Sequence, residues 1–105
     1  MVEFDHTAAI LRCQGEEDRS TQPFRRRALT RAIMAQSDVV VDLTGLVFAD
    51  TSLMLDLAML ARRLRNRGGA LRLSGPQVQI RTLIELVGLH RLDGVTIEAS
   101  APALA

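Results

Sequence analysis

Lysine, tryptophan and tyrosine are missing from this 105-residue chain, cysteine occurs once and phenylalanine three times. Each shortage excludes something. Without Trp or Tyr, the usual stacking platforms for single-stranded bases are gone. All 13 basic residues are Arg; they face 12 acids, and the net charge is only +1. The positive excess of a dedicated nucleic-acid binder is therefore absent. Cys13, alone, can neither close an internal disulfide nor found a Cys-based metal site, and it fits a reducing compartment. His6 and His90 are too few for a metal site without nearby partners. No apolar run approaches the roughly 20 residues that span a bilayer; Asp56 breaks the longest nearly apolar stretch, 53–61. The start, Met1-Val2-Glu3-Phe4-Asp5, is acidic and lacks the basic-then-apolar pattern of a signal peptide. These readings predict a cytoplasmic protein with no metal, no membrane insertion and no direct nucleic-acid partner.

What is present is a folding chain. An apolar content of 48% with 24% charged residues is not that of a disordered tail, and this length buries one core. The small net charge hides alternating blocks: −4 over residues 1–18, +5 over 19–36, −4 over 37–61, +5 over 62–72 and −1 over 73–105.

The order of elements reads β-β-α-β-α-β-α-β. Val2-Glu3-Phe4 and Ala8 to Gln14 form a short antiparallel pair, with Ala9, Leu11 and Cys13 on one face. Gly15 breaks the second strand, and Glu16-Glu17-Asp18 follows as an acidic loop. Ser20 and Thr21 cap a helix with Pro23 in its first turn. Its apolar stripe is Phe24, Ala28, Ala32 and Ile33, and Arg25, Arg26, Arg27 and Arg31 lie on its solvated face. Val39-Val40-Val41 reads as a strand buried on both faces, ended by Asp42-Leu43-Thr44-Gly45. Asp50 caps the next helix, whose core stripe is Leu53, Leu57, Leu60, Ala61 and Leu64. Arg62, Arg63, Arg65 and Arg67 suit its C-terminal dipole, and Gly68-Gly69 stops it. Ala70 to Leu73 is a strand. A Pro76-led helix follows, with Val78, Leu83, Ile84 and Val87 as its apolar face, and Val95-Thr96-Ile97 is the last strand. Strands alternating with helices predict parallel neighbours joined by right-handed crossovers. A single domain is expected over 1–100, with 101–105 a frayed tail.

With these elements in order, the sequence resembles the STAS domain family, the bacterial anti-sigma factor antagonists. The family's central motif, Asp-Leu-x-Gly-Leu-x-Phe-x-Asp-Ser/Thr-Ser/Thr-Gly, reads here as Asp42-Leu43-Thr44-Gly45-Leu46-Val47-Phe48-Ala49-Asp50-Thr51-Ser52-Leu53. The Gly-Gly, strand and Pro-led helix follow it. Leu86-Val87-Gly88-Leu89 is similar to the family's Gly-Leu turn, and Gly15-Glu16-Glu17-Asp18 resembles its Gly-Glu-Leu-Asp loop. The resemblance implies a mixed-sheet α/β fold and a non-enzymatic role as an anti-anti-sigma factor. Such a protein binds an anti-sigma factor that is also a serine/threonine kinase, and so frees a sigma factor. Phosphorylation after the motif Asp ends binding, and a phosphatase restores it; ATP belongs to the partner, so no cofactor is expected here. Carried over residue by residue, the acceptor is Thr51, with Ser52 second. The expected partner surface comprises Asp50, Thr51, Ser52, Leu53, Asp56, Glu16, Glu17 and Asp18. Leu53 departs from the family's Gly. Two other roles remain open: an accessory subunit of an ABC-type lipid transporter, or a non-phosphorylated scaffold.

The acceptor position also has a physical argument of its own. With Asp50 as N-cap, Thr51 and Ser52 fall at the mouth of a helix, where free N–H groups and the dipole favour anions. A phosphate there adds about −1.5 to −2 charges. It should leave the fold intact and change what the surface recognises. The surrounding acids (Asp42, Asp50 and Asp56) imply a partner that presents positive charge.

Overall fold

The computed structural model describes residues 1–99; the expected frayed tail, 101–105, lies outside them. Five strands form one sheet in the order β1-β2-β3-β4-β5. They are β1 (Val2–Asp5), β2 (Ile10–Glu17), β3 (Val39–Ala49), β4 (Leu71–Ser74) and β5 (Val95–Glu98). β1 runs antiparallel to β2, and every later pairing is parallel. The crossovers carry α1 (Gln22–Ile33), α2 (Thr51–Arg65) and α3 (Val78–Val87), with short 3₁₀ turns at Arg19–Thr21 and Leu89–Arg91. The predicted element order and the mixed α/β class hold throughout.

The period-2 burial of the strands shows one covered face. Leu11, Val41 and Leu73 sit side by side in register and have no accessible surface. Their neighbours Arg12, Val40 and Arg72 point the other way and keep some. β3 is thus not buried on both faces, as its Val-Val-Val run suggested: Val40 is half-buried while Val39 and Val41 are covered. α2 supplies the largest wedge, and Leu53, Leu57, Leu60, Ala61 and Leu64 are all buried as predicted. Cys13 lies in this core, where burial pushes its thiol up to about 12; it is a small apolar filler and not a nucleophile.

Two expected strand ends are overrun. β2 does not stop at Gly15 but continues through Glu16 to Glu17, and β3 passes Gly45 to reach Ala49. The two prolong each other. β3 carries one extra residue opposite Arg12–Gln14 and another opposite Gly15–Glu16, which restores pairing at Glu17↔Ala49. Gly15 takes φ +73°, a conformation that costs glycine little, so here it permits a bulge rather than a stop. The extension carries Glu17 and Asp50 to the same end of the sheet, where the Asp50 N–H donates to the Glu17 carbonyl at 3.1 Å.

α1 is rotated from its predicted stripe. Phe24 is 84% exposed, while Arg25 is 1% exposed; Ala28, Leu29 and Ala32 complete the buried face. Arg25 thus leaves the solvated face on which an Arg inside a triple-Arg run normally lies. On α3 the covered residues are Ile80 and Ile84, and Val78 and Val87 are open.

Candidate functional site

The start of α2 is set by its N-cap. Asp50 is extended, and one carboxylate oxygen accepts from the Ser52 N–H at 2.9 Å and the Ser52 hydroxyl at 2.5 Å. The other accepts from the Arg19 N–H at 3.1 Å. The Ser52 hydroxyl bond leads the effects that hold the Asp50 carboxyl below the ordinary carboxylate value.

The two hydroxyls that follow differ. Thr51, at the first helical position, is exposed. Ser52 is only 7% exposed; besides donating to Asp50, its hydroxyl accepts from Arg25 Nη2 at 3.0 Å. Leu53, expected on the partner surface, has no accessible area and packs with the core. The Leu that replaces the family's Gly therefore turns inward and leaves the exterior of this turn unobstructed.

Arg25 joins the acids predicted for this site. Its Nε donates to Asp56 at 2.8 Å, and its Nη1 donates to Glu17 at 3.2 Å and to the Asp18 carbonyl at 2.9 Å. Glu17, 2% exposed, accepts further bonds from the Thr21 hydroxyl at 3.0 Å and the Met1 amino group at 2.6 Å. Of the expected acidic partner surface, Glu17 is thus an internal counter-charge and Asp56 is half-buried against Arg25. Asp18 caps the 3₁₀ turn by accepting from the N–H groups of Ser20 and Thr21, and Thr21 accepts back from the Asp18 N–H. This capping box replaces the Ser20/Thr21 cap expected for α1; Thr21 precedes the helix without a side-chain cap bond. The hydrogen bond from the Ser20 hydroxyl leads the effects that lower the Asp18 carboxyl below its ordinary value. Glu16 is exposed. Asp42 lies well down β3, in register with Arg12 and Ser74, and is not part of the site.

Asp18 and Asp50, brought together where the Arg19 N–H reaches Asp50, thus form an acidic rim beside the exposed Thr51, and Glu16 is exposed one strand position before Glu17. On the other side of Thr51 an open groove of about 370 Å³ runs between α2 and α3. Thr51, Leu55, Ala58, Val87 and Leu92 line it, and Arg62 stands among its walls. Leu55 is 70% exposed. Val87, expected on the apolar face of α3, is 44% exposed and faces this groove instead. Among the described residues no cluster of three or more His, Cys, Asp or Glu could hold a metal, and no helix is long and apolar enough to cross a membrane.

The chain matches the STAS domain family over residues 1–101, and it belongs to that family. Comparison with curated proteins finds no match. Among solved structures, the unphosphorylated form of the anti-sigma factor antagonist SpoIIAA is 19% identical with a TM-score of 0.66, covering 88% of this chain and 79% of that one. A Thermotoga maritima protein described as a candidate anti-sigma factor antagonist is 12% identical with a TM-score of 0.71, covering 95% and 86%. At these identities the likeness is one of fold.

Proposed function

We propose that this STAS domain is an anti-anti-sigma factor, switched off by phosphorylation of Thr51. In its unmodified state it binds an anti-sigma factor that carries serine/threonine kinase activity, and a sigma factor is released. The kinase brings ATP. The Thr51 oxygen attacks the γ-phosphorus, ADP leaves, and the hydroxyl proton passes to the kinase. A phosphatase reverses the step. The domain catalyses nothing itself and works where its partner works, in the cytoplasm.

The observation that carries this reading is the contrast between adjacent hydroxyls. Thr51 is exposed, whereas the Ser52 hydroxyl is buried and engaged on both sides, by Asp50 and Arg25. Of the two acceptors the motif offers, only Thr51 is free to enter a kinase site. Once phosphorylated, Thr51 would place about two further negative charges among Asp18, Asp50 and Glu16. A partner surface matched to the neutral hydroxyl and the acidic rim would then meet excess charge and bulk. The fold would tolerate the change, because the group sits at a helix N-terminus.

The test is capture from a cell lysate with the tagged protein, followed by incubation with ATP and site mapping by mass spectrometry. Recovery of a kinase-fold ATPase and phosphate on Thr51 is expected. Thr51→Ala should keep the captured partner in the presence of ATP, and Thr51→Glu should weaken capture. Recovery of a transporter ATPase, or phosphate absent from Thr51, would overturn the reading.

A further inference from the structure

The buried Arg25 has more bonds than charge balance requires. Two carboxylates, Glu17 and Asp56, already face its guanidinium. Its third nitrogen is nevertheless spent on a neutral group, the Ser52 hydroxyl at 3.0 Å. That hydroxyl in turn donates to Asp50, the residue that caps α2 and immediately precedes Thr51. A continuous line therefore runs from α1 through Arg25, Ser52 and Asp50 to the first turn of α2. The same guanidinium reaches the Asp18 carbonyl at 2.9 Å and Thr21 at 3.3 Å. It thereby ties the capping box of the preceding 3₁₀ turn to the same point, and the Arg19 N–H closes the loop on Asp50.

A buried ion pair is weak evidence of stabilisation, because apolar residues of similar volume often replace one at no loss. α1 carries a ready alternative: Phe24, next in sequence, is 84% exposed while Arg25 takes the buried place. A guanidinium fork fixes direction as no apolar side chain does. We propose that Arg25 is a positioning residue that, through the Ser52 hydroxyl, fixes the α2 N-cap and so the placement of the Thr51 hydroxyl. This inference builds on Thr51 as acceptor and adds the residue that aims it.

The experiment compares Arg25→Lys, Ser52→Ala and the double variant with the wild type by amide hydrogen exchange on the free protein, with no kinase present. Ser52→Ala leaves the Arg25 pairs with Glu17 and Asp56 in place, so it folds even if Arg25→Lys is impaired. Exchange at the amides of residues 52 and 53 should quicken about tenfold in either single variant, the scale of one net hydrogen bond. The double variant should exchange no faster than the singles, since both cut the same line. The interior amides of Val41, paired on both sides, and Leu60 should keep their protection. Overturning results would be additive effects, quickening spread evenly through β3 and α2, or Arg25→Lys exchanging at the cap like the wild type, which would make the role one of charge alone. Because this readout needs no phosphate transfer, its failure is distinct from a failure to modify Thr51. In the ATP assay, Ser52→Ala should slow Thr51 modification by the same factor as Arg25→Lys; unequal factors would count against a shared line.

Discussion

On the α1 side, Ser52 and Asp56 in the first turns of α2 meet Arg25, which also reaches Glu17 and the Asp18 carbonyl, in directional bonds between 2.8 and 3.2 Å long. On the α3 side, Thr51, Leu55 and Ala58 of α2 face Val87 and Leu92 across an open groove of about 370 Å³. The first flank is polar and closed; the second is apolar and open. Hydrogen bonds and ion pairs resist small displacements because they weaken steeply with angle. Apolar contact is non-directional and proportional to area. The start of α2 is thus held by directional chemistry on one flank and left with accommodating apolar surface on the other.

Four measurements bear on that contrast. The largest effect is expected from Arg25→Ala, which strands Asp56 without its cation and leaves the buried Glu17 only the Met1 amino group. A loss of about 3–5 kcal/mol in urea unfolding is the scale for breaking a buried pair; a loss below 1 kcal/mol would show the closed flank to be dispensable. Leu53→Ala, at the fully buried position between the flanks, should cost about 2–5 kcal/mol through the cavity it leaves. A near-neutral result there would mean that Leu53 does not anchor the turn as its burial implies.

The third is Asp50→Ala, which removes the cap at about 0.5–2 kcal/mol and also carries a pH signature. The folded-state Asp50 carboxyl titrates below its ordinary 3.8. Its contribution is therefore complete above 3.8 and lost as pH falls through the lower folded value. Wild type and Asp50→Ala should differ at pH 7 and converge in strong acid; a gap that widens with acidity would refute the cap assignment. The smallest effect belongs to Leu55→Ala on the open flank, within about 0.5 kcal/mol, as for exposed substitutions generally. If the wild type captures a partner and Leu55→Ala captures it equally well, the groove is not part of that contact.

Much of this was legible beforehand, for reasons that differ along the chain. α2 was read correctly because its apolar residues recur at helical spacing and Asp50, Thr51 and Ser52 form a standard helix start. The expectation for Thr51, carried over from the family resemblance, rests on the same short segment. Arg25 was not legible, since its burial depends on Glu17, Asp56 and Ser52 converging from β2 and α2, and no local pattern reports a counter-charge 8 or 31 residues away. Glu17 itself was misplaced in a loop because Gly15 and Gly45 look like terminators, whereas two added residues in β3 let both strands run on together. The acidic block around Thr51 has no basic residue in sequence but receives one in space. In both cases the missing information was tertiary.

The lengths of the strands carry one more consequence. β3, at the centre, has 11 residues, while β1 and β5, at the rims, have four each. The rim strands also carry charge: Asp5 on β1 approaches Arg12 at 3.7 Å, and Glu98 on β5 pairs with Arg72 at 2.8 Å. A stray chain adding itself to either margin would find few backbone groups to copy and charged side chains beside them. Short, charged margins are how sheet proteins avoid templating one another into fibrils. The taper that leaves the longest strand in the middle is therefore also a safeguard against aggregation when many copies are made at once.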